Sequence, residues 1–185
     1  MLFTRKNELS SLLTRYFYRL NQLQEIVFAC FIKGDYFANS FHYENQIHQA
    51  RIHLFKVMKK IRKSESNQSI LSTLETLYEI IFSLNNLKLR VKDHATFEVC
   101  EIEIKKVAKF LGAVLRELNY KSFSKKSDAV IEQINLLSIS IAEFEEIYQS
   151  TLQVVSYEPI VFLFFVKNLI AFRDEVEEFY LRLIK

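Results

Sequence analysis

Apolar residues recur along this chain in alternating steps of three and four. Leu9, Leu13, Tyr16, Leu20, Leu23, Val27 and Cys30 form one such seam, and Phe97, Cys100, Ile104, Val107, Leu111, Val114 and Leu118 form another. Side chains three and four apart share one helix face, so this spacing predicts helices that each bury a stripe. A strand would alternate with period two.

Six seams predict six helices. The first covers about residues 4–33. Lys33-Gly34-Asp35 closes it with a cation for the helix end, a glycine free to turn left-handed, and an aspartate placed to cap the next helix. The second covers about 36–62, through Tyr43, Ile47, Ala50, Leu54, Val57 and Ile61. A polar run at 64–69 reads as a loop before the third seam: Ile70, Leu74, Leu77, Ile81, Leu84 and Val91. Asp93 is placed to cap the fourth helix, unless third and fourth join as one kinked rod. After a loop at 120–127, Ser127 or Asp128 starts the fifth, with Val130, Ile134, Leu137, Ile141, Phe144 and Tyr148. Pro159 falls in the first turn of the sixth, where proline is tolerated. That helix carries Phe162, Phe165, Leu169, Phe172, Val176, Phe179 and Leu183.

Composition strengthens this picture. The 185 residues include only two glycines and one proline. Tight turns depend on those residues, so the chain has few turns and long elements. Short connections make consecutive helices antiparallel. The expected fold is all-α: an elongated up-and-down bundle of five to six long antiparallel helices, in a single domain over residues 1–185. Phe and Tyr number 17 and 9, which predicts a bulky core. Phe37, Phe41, Phe55, Phe82 and Phe164 exceed what the seams require: either helices are buried on two faces, which is the expectation for six helices in one bundle, or some apolar surface awaits a partner. The most apolar stretch, Val154 to Phe172, contains Glu158, Pro159, Lys167 and Asn168. It falls short of the roughly 20 apolar residues of a membrane span. The N-terminus has no apolar secretory core.

Charge and candidate chemistry change the picture little. A net charge of +3 is too small to imply a nucleic-acid partner. The basic groups Lys56–Lys63 and Lys121, Lys125, Lys126 read as a solvated helix end and a soluble loop, with peripheral contact to anionic lipid as the functional reading. Cys30 and Cys100 lie on core seams and read as inert buried thiols of a reducing compartment. No histidine has a glutamate three residues before it, as di-iron bundles need. Glu44 and His48 are four apart on one face, a metal half-site at most, and His53 is turned away from them. Arg51, Lys88 and Arg173 interrupt apolar seams. Such cations usually extend outward along their stems, the alternative being that they pair with carboxylates between helices or line a polar cleft, and the third seam is clean only if Lys88 turns outward. Glu44, His48 and Arg51 together are the candidate polar cleft. No nucleophile–base pair or phosphate-binding glycine loop is present, so no catalytic residue, cofactor or metal is assigned and no enzyme is expected.

Three segments carry a family resemblance. LLTRYFYRLNQL followed by the Gly34-Asp35 break, ATFEVCEIEIKKVAKFLGAVLREL followed by SDAVIEQINLL, and FLFFVKNLIAFRDEVEEF together resemble the soluble part of fusaric acid resistance (FUSC) proteins, from about Leu9 to Phe179. These are bacterial inner-membrane proteins, some of them exporters of aromatic carboxylic acids. The resemblance implies a non-enzymatic domain at the cytosolic face of the inner membrane, acting in assembly or gating. Its partner would be the membrane-embedded part of the same protein, or a second copy. Membrane helices are missing from these 185 residues, so no transport residue is carried over. The alternative reading is a stand-alone helical adaptor or effector module.

Overall fold

A computed structural model describes residues 2–60, 65–92, 94–118, 128–152 and 159–183. The fold is all-helical. Its elements are α1 (Leu2–Lys33), α2 (Phe41–Met58), α3 (Glu65–Lys88), the single turn α4 (Ala95–Glu98), α5 (Glu101–Glu117), α6 (Asp128–Leu152) and α7 (Pro159–Leu183). At 32 residues, α1 is about 48 Å long.

The helices α1, α5, α6, α7 and α3 close a ring, each packed on the next, while α2 lies outside against α1 and more thinly against α3. Side-chain pairs give the directions. The Gln24 amide donates to the Ala108 carbonyl at 3.3 Å and Asn21, one turn earlier on α1, lies against Gly112, one turn later on α5, so α1 and α5 are antiparallel. Phe31 meets Phe165 and Phe17 meets Phe179, so α7 also runs against α1. By contrast, Tyr16 bonds the Leu74 carbonyl and Lys88 reaches Ala38, so α1 and α3 run parallel. Because α2 takes the outer layer, α3 returns beside α1 in the same direction.

The seams form the core as the periodicity predicts. Rings of Phe31, Phe97, Phe144, Phe162 and Phe165 interlock near the C-terminal end of α1, with centroids 4.7 Å apart for Phe31–Phe165 and 4.9 Å for Phe144–Phe162. Burying each such ring contributes about 1.5–3 kcal/mol. Gly112 lets α5 sit close on α1, since an added Cβ would lie 3.0 Å from Asn21 Oδ1.

Element ends depart from the sequence reading in three places. Asp35 does not cap α2: its carbonyl accepts from Ala38 N at 3.2 Å in a turn. The helix starts at Phe41 instead, whose amide is held by the Asn39 side chain at 2.9 Å. The polar run after residue 64 is helical from Glu65, because Glu, Ser, Asn and Gln permit a helix where no glycine or proline stops it. The third and fourth helices do not join as one kinked rod. The Arg90 and Val91 amides close three-residue turns on Leu87 and Lys88. The predicted fourth helix divides into α4 and α5 at Cys100, with φ −108° and ψ 21°, a bridge-region conformation. Phe97 and Cys100 stay buried, so the seam survives the break. Asp93, Ser127 and the 120–127 loop lie outside the described residues.

Gly34 does terminate α1 in the left-handed region, at φ +70°. A Cβ there would also stand 3.1 Å from the His94 ring. Replacing Gly34 with Ala therefore lowers the unfolding free energy in urea by about 1–2 kcal/mol from the backbone term alone. An unchanged urea midpoint and slope would refute the strained joint.

Candidate functional site

The three residues of the candidate cleft share α2, but the structure does not bring them to one site. Glu44 is half-buried and accepts from Ser40 Oγ and from Asn85 Nδ2, the latter at 2.7 Å. Arg51 pairs with Glu75 Oε1 on α3 at 3.0 Å, with its guanidinium 4.6 Å from the Tyr78 ring centroid. His48 is exposed. The Glu44–His48 half-site is therefore not assembled. Among the described residues no group of three His, Cys, Asp or Glu could hold a metal ion.

The polar centre of this region is a residue expected to turn outward. Lys88 is only 3% exposed. Its Nζ donates to the Ala38 carbonyl at 2.9 Å and to Ser40 Oγ at 3.1 Å. The cause is tertiary. The turn after Gly34 brings a backbone carbonyl and a buried hydroxyl over the end of α3, and a buried carbonyl needs a donor. Ser40 in turn donates to Glu44, so a chain of bonds runs from the Lys88 ammonium through a hydroxyl to a carboxylate. Asn85, one residue off the α3 seam, completes it. Its position signalled nothing in the sequence, because a polar residue beside a seam is usually solvated.

A lysine next to a serine raises nucleophilic catalysis as a reading. The geometry opposes it. Lys88 donates to Ser40 and has no lone pair to take the serine proton, which points to Glu44. Ser40 is itself only 5% exposed. The arrangement braces the α1–α2 connection against α3.

A second polar rung lies further along the bundle. Tyr16, wholly buried, donates to the Leu74 carbonyl. Burial pushes its phenol far above the usual 10.0, with the Glu75 charge adding and Arg51 opposing. Arg173, the third seam cation, bonds its neighbour Asp174 at 2.7 Å. Near α4, Tyr36 hydroxyl and His94 Nδ1 are 2.7 Å apart. Cys30 and Cys100 are buried and free. Burial, with Glu103 adding, raises the Cys100 thiol to about 11.

The surface carries a different signal. Of twelve large hydrophobic side chains exposed among the described residues, eight belong to one end of the bundle: Phe37, Phe41, Leu89, Val99, Ile102, Ile160, Leu163 and Phe164. There α1 and α3 finish and α2, α5 and α7 begin. Burial on second helix faces, expected for the surplus phenylalanines, holds only in part for Phe55 and Phe82, which are half-buried. It fails for Phe37, Phe41 and Phe164. Phe37 sits in a connection and Phe41 at a helix start, while Phe164 faces an open groove between α7 and α3 that no other described helix fills. No helix among the described residues is long and apolar enough to cross a membrane. Compared with protein-family models, curated proteins and solved structures, the chain matches none.

The buried polar groups make two contributions to stability that can be measured. Substituting Lys88 by Ala leaves the Ala38 carbonyl without its donor and opens a gap at the end of α3, at a cost of about 2–4 kcal/mol in chemical denaturation. A loss below 0.5 kcal/mol, about the size of a typical surface substitution, would mean that Lys88 is dispensable. The Cys100 thiol, neutral in the fold, ionises near its ordinary 9.0 once unfolded. Its contribution is intact below pH 9 and is lost as pH rises towards 11, by about 2–3 kcal/mol. Comparing the wild type with Cys100→Ala across that range checks it: the variant should show a correspondingly smaller alkaline loss.

Proposed function

We propose that this chain is a non-enzymatic helical docking domain, acting in assembly or gating beside a membrane as the cytosolic domain of a FUSC-type inner-membrane protein. The observation that carries the docking reading is the concentration of exposed apolar side chains at one end. A bundle that buries Phe17, Phe28, Phe31 and Phe97 almost completely leaves Phe37 at 89% exposure. Exposed apolar patches of this kind are typical of contact sites. The resemblance of helix order supports the FUSC-type assignment. The buried polar groups support a non-catalytic role, because Lys88, Ser40, Glu44 and Arg51 are occupied with one another or with the backbone.

The test is site-specific photocrosslinking in cells, with a photoreactive phenylalanine at position 37 or 164 and, as control, at 52. Covalent products form from 37 and 164 and not from 52, and they contain a membrane component, protein or lipid. Products of equal yield from all three positions, or none from 37 and 164, would sink the docking reading. A soluble protein partner would replace the FUSC-type assignment with a stand-alone adaptor.

A further inference from the structure

The apolar end is not uniform, and its chemistry narrows what it touches. One half is continuous. Lys88 ties the 34–40 connection to the end of α3 through Ala38 and Ser40, so the segment carrying Phe37 and Phe41 meets the end of α3 that carries Leu89 and Arg90. Arg90 and Phe164 line one groove of about 370 Å³ between α3 and α7. Ile160 and Leu163 share the first turns of α7 with Phe164, and Lys167 is three residues further on. Six exposed apolar side chains are thus interleaved with Lys33, Arg90, Lys92 and Lys167. Among the described residues of this half, the exposed carboxylates are Asp35 and, in the α3–α7 groove, Glu79. The other half differs: Val99 and Ile102 stand among Glu98, Glu101 and Glu103.

We propose that the α2–α3–α7 half of this end binds an anionic lipid surface, inserting Phe37, Phe41 and Phe164 at the headgroup–acyl boundary. The proposal rests on the docking reading above and names its partner. Three features favour lipid. The side chains are Phe, Leu and Ile, which partition into acyl chains, and all but the groove-lining Phe164 stand on a connection or at helix ends. Lysine, depleted at protein interfaces, is interleaved with them. Lys33, Arg90 and Lys167, none of them in an ion pair among the described residues, complement phosphate and serine headgroups. A second copy docked through the same face would set Lys33, Arg90 and Lys167 against the same three cations. The basic helix end at Lys56, Lys59 and Lys60 lies at the far end of α2 from Phe41, without this apolar companion.

The test is co-sedimentation of the full chain with vesicles of phosphatidylcholine alone or with about 30% phosphatidylserine. The wild type pellets with the mixed vesicles and is released by about 0.5 M salt, where surface charge is screened. The pair Phe37→Ser and Phe41→Ser weakens partitioning roughly tenfold or more. The set Lys33→Glu, Arg90→Glu and Lys167→Glu removes the preference for phosphatidylserine. The pair Val99→Ser and Ile102→Ser changes nothing, and all variants keep the wild-type melting curve. Failure of the wild type to pellet at millimolar lipid, equal binding to both vesicles, or equal loss in the Val99/Ile102 pair overturns the proposal. Photocrosslinks from position 37 to a protein, with no vesicle binding, would overturn the lipid assignment and leave docking intact. Vesicle binding with photocrosslinks from position 37 to lipid supports both.

Discussion

Helix α1 has to bury two adjacent faces along most of its length, and the rest of the bundle is arranged to meet that requirement. Tyr16, Phe17, Leu20, Leu23, Val27, Phe28, Cys30 and Phe31 are all at most 2% exposed. One partner helix covers a single stripe. Covering two faces takes α2, α3 and α5 in direct contact, with rings from α7 reaching in across the core. The parallel pairing of α1 with α3 is a consequence. Once α2 is laid outside α1, the chain can complete the cover only by returning in the original direction.

That arrangement places a chain connection over the end of a helix, and the connection contains backbone groups that need partners. Lys88 meets the need. An ammonium drawn into the interior is costly unless its hydrogen bonds are satisfied. Here a carbonyl, a hydroxyl and, one bond further, a carboxylate surround it. Together with Arg51, Glu75 and Tyr78, this polar edge fixes how α2 lies across α3. Apolar packing would have tolerated several positions for a helix so thinly attached, whereas paired donors and acceptors tolerate few.

The same end of the molecule shows two opposite fates for aromatic residues. Phe31, Phe97, Phe162 and Phe165 interlock beneath the surface. Phe37, Phe41 and Phe164, close by in sequence, face outward. In a helix, phase about the axis separates Phe164 from Phe165. In the connection after Gly34, the left-handed turn directs Tyr36 inward and leaves Phe37 at the tip. The outward residues are the part of the chain that core packing does not explain.

The helical class, the seams and the Gly34 joint were legible in the sequence because they depend on spacing and on one residue's freedom at positive φ. The buried thiols were legible too, since seam position alone predicts burial. Helix starts at Phe41 and Glu65, the break at Cys100 and the inward turn of Lys88 were not. Each depends on which backbone groups lie nearby once distant segments meet. Glu44, His48 and Arg51 share a helix face in sequence, yet Ser40 and Asn85 claim one, Glu75 another and solvent the third. The surplus phenylalanines divide for the same reason. Periodicity determines which side of a helix is apolar, but only the tertiary arrangement decides whether another helix arrives to cover it.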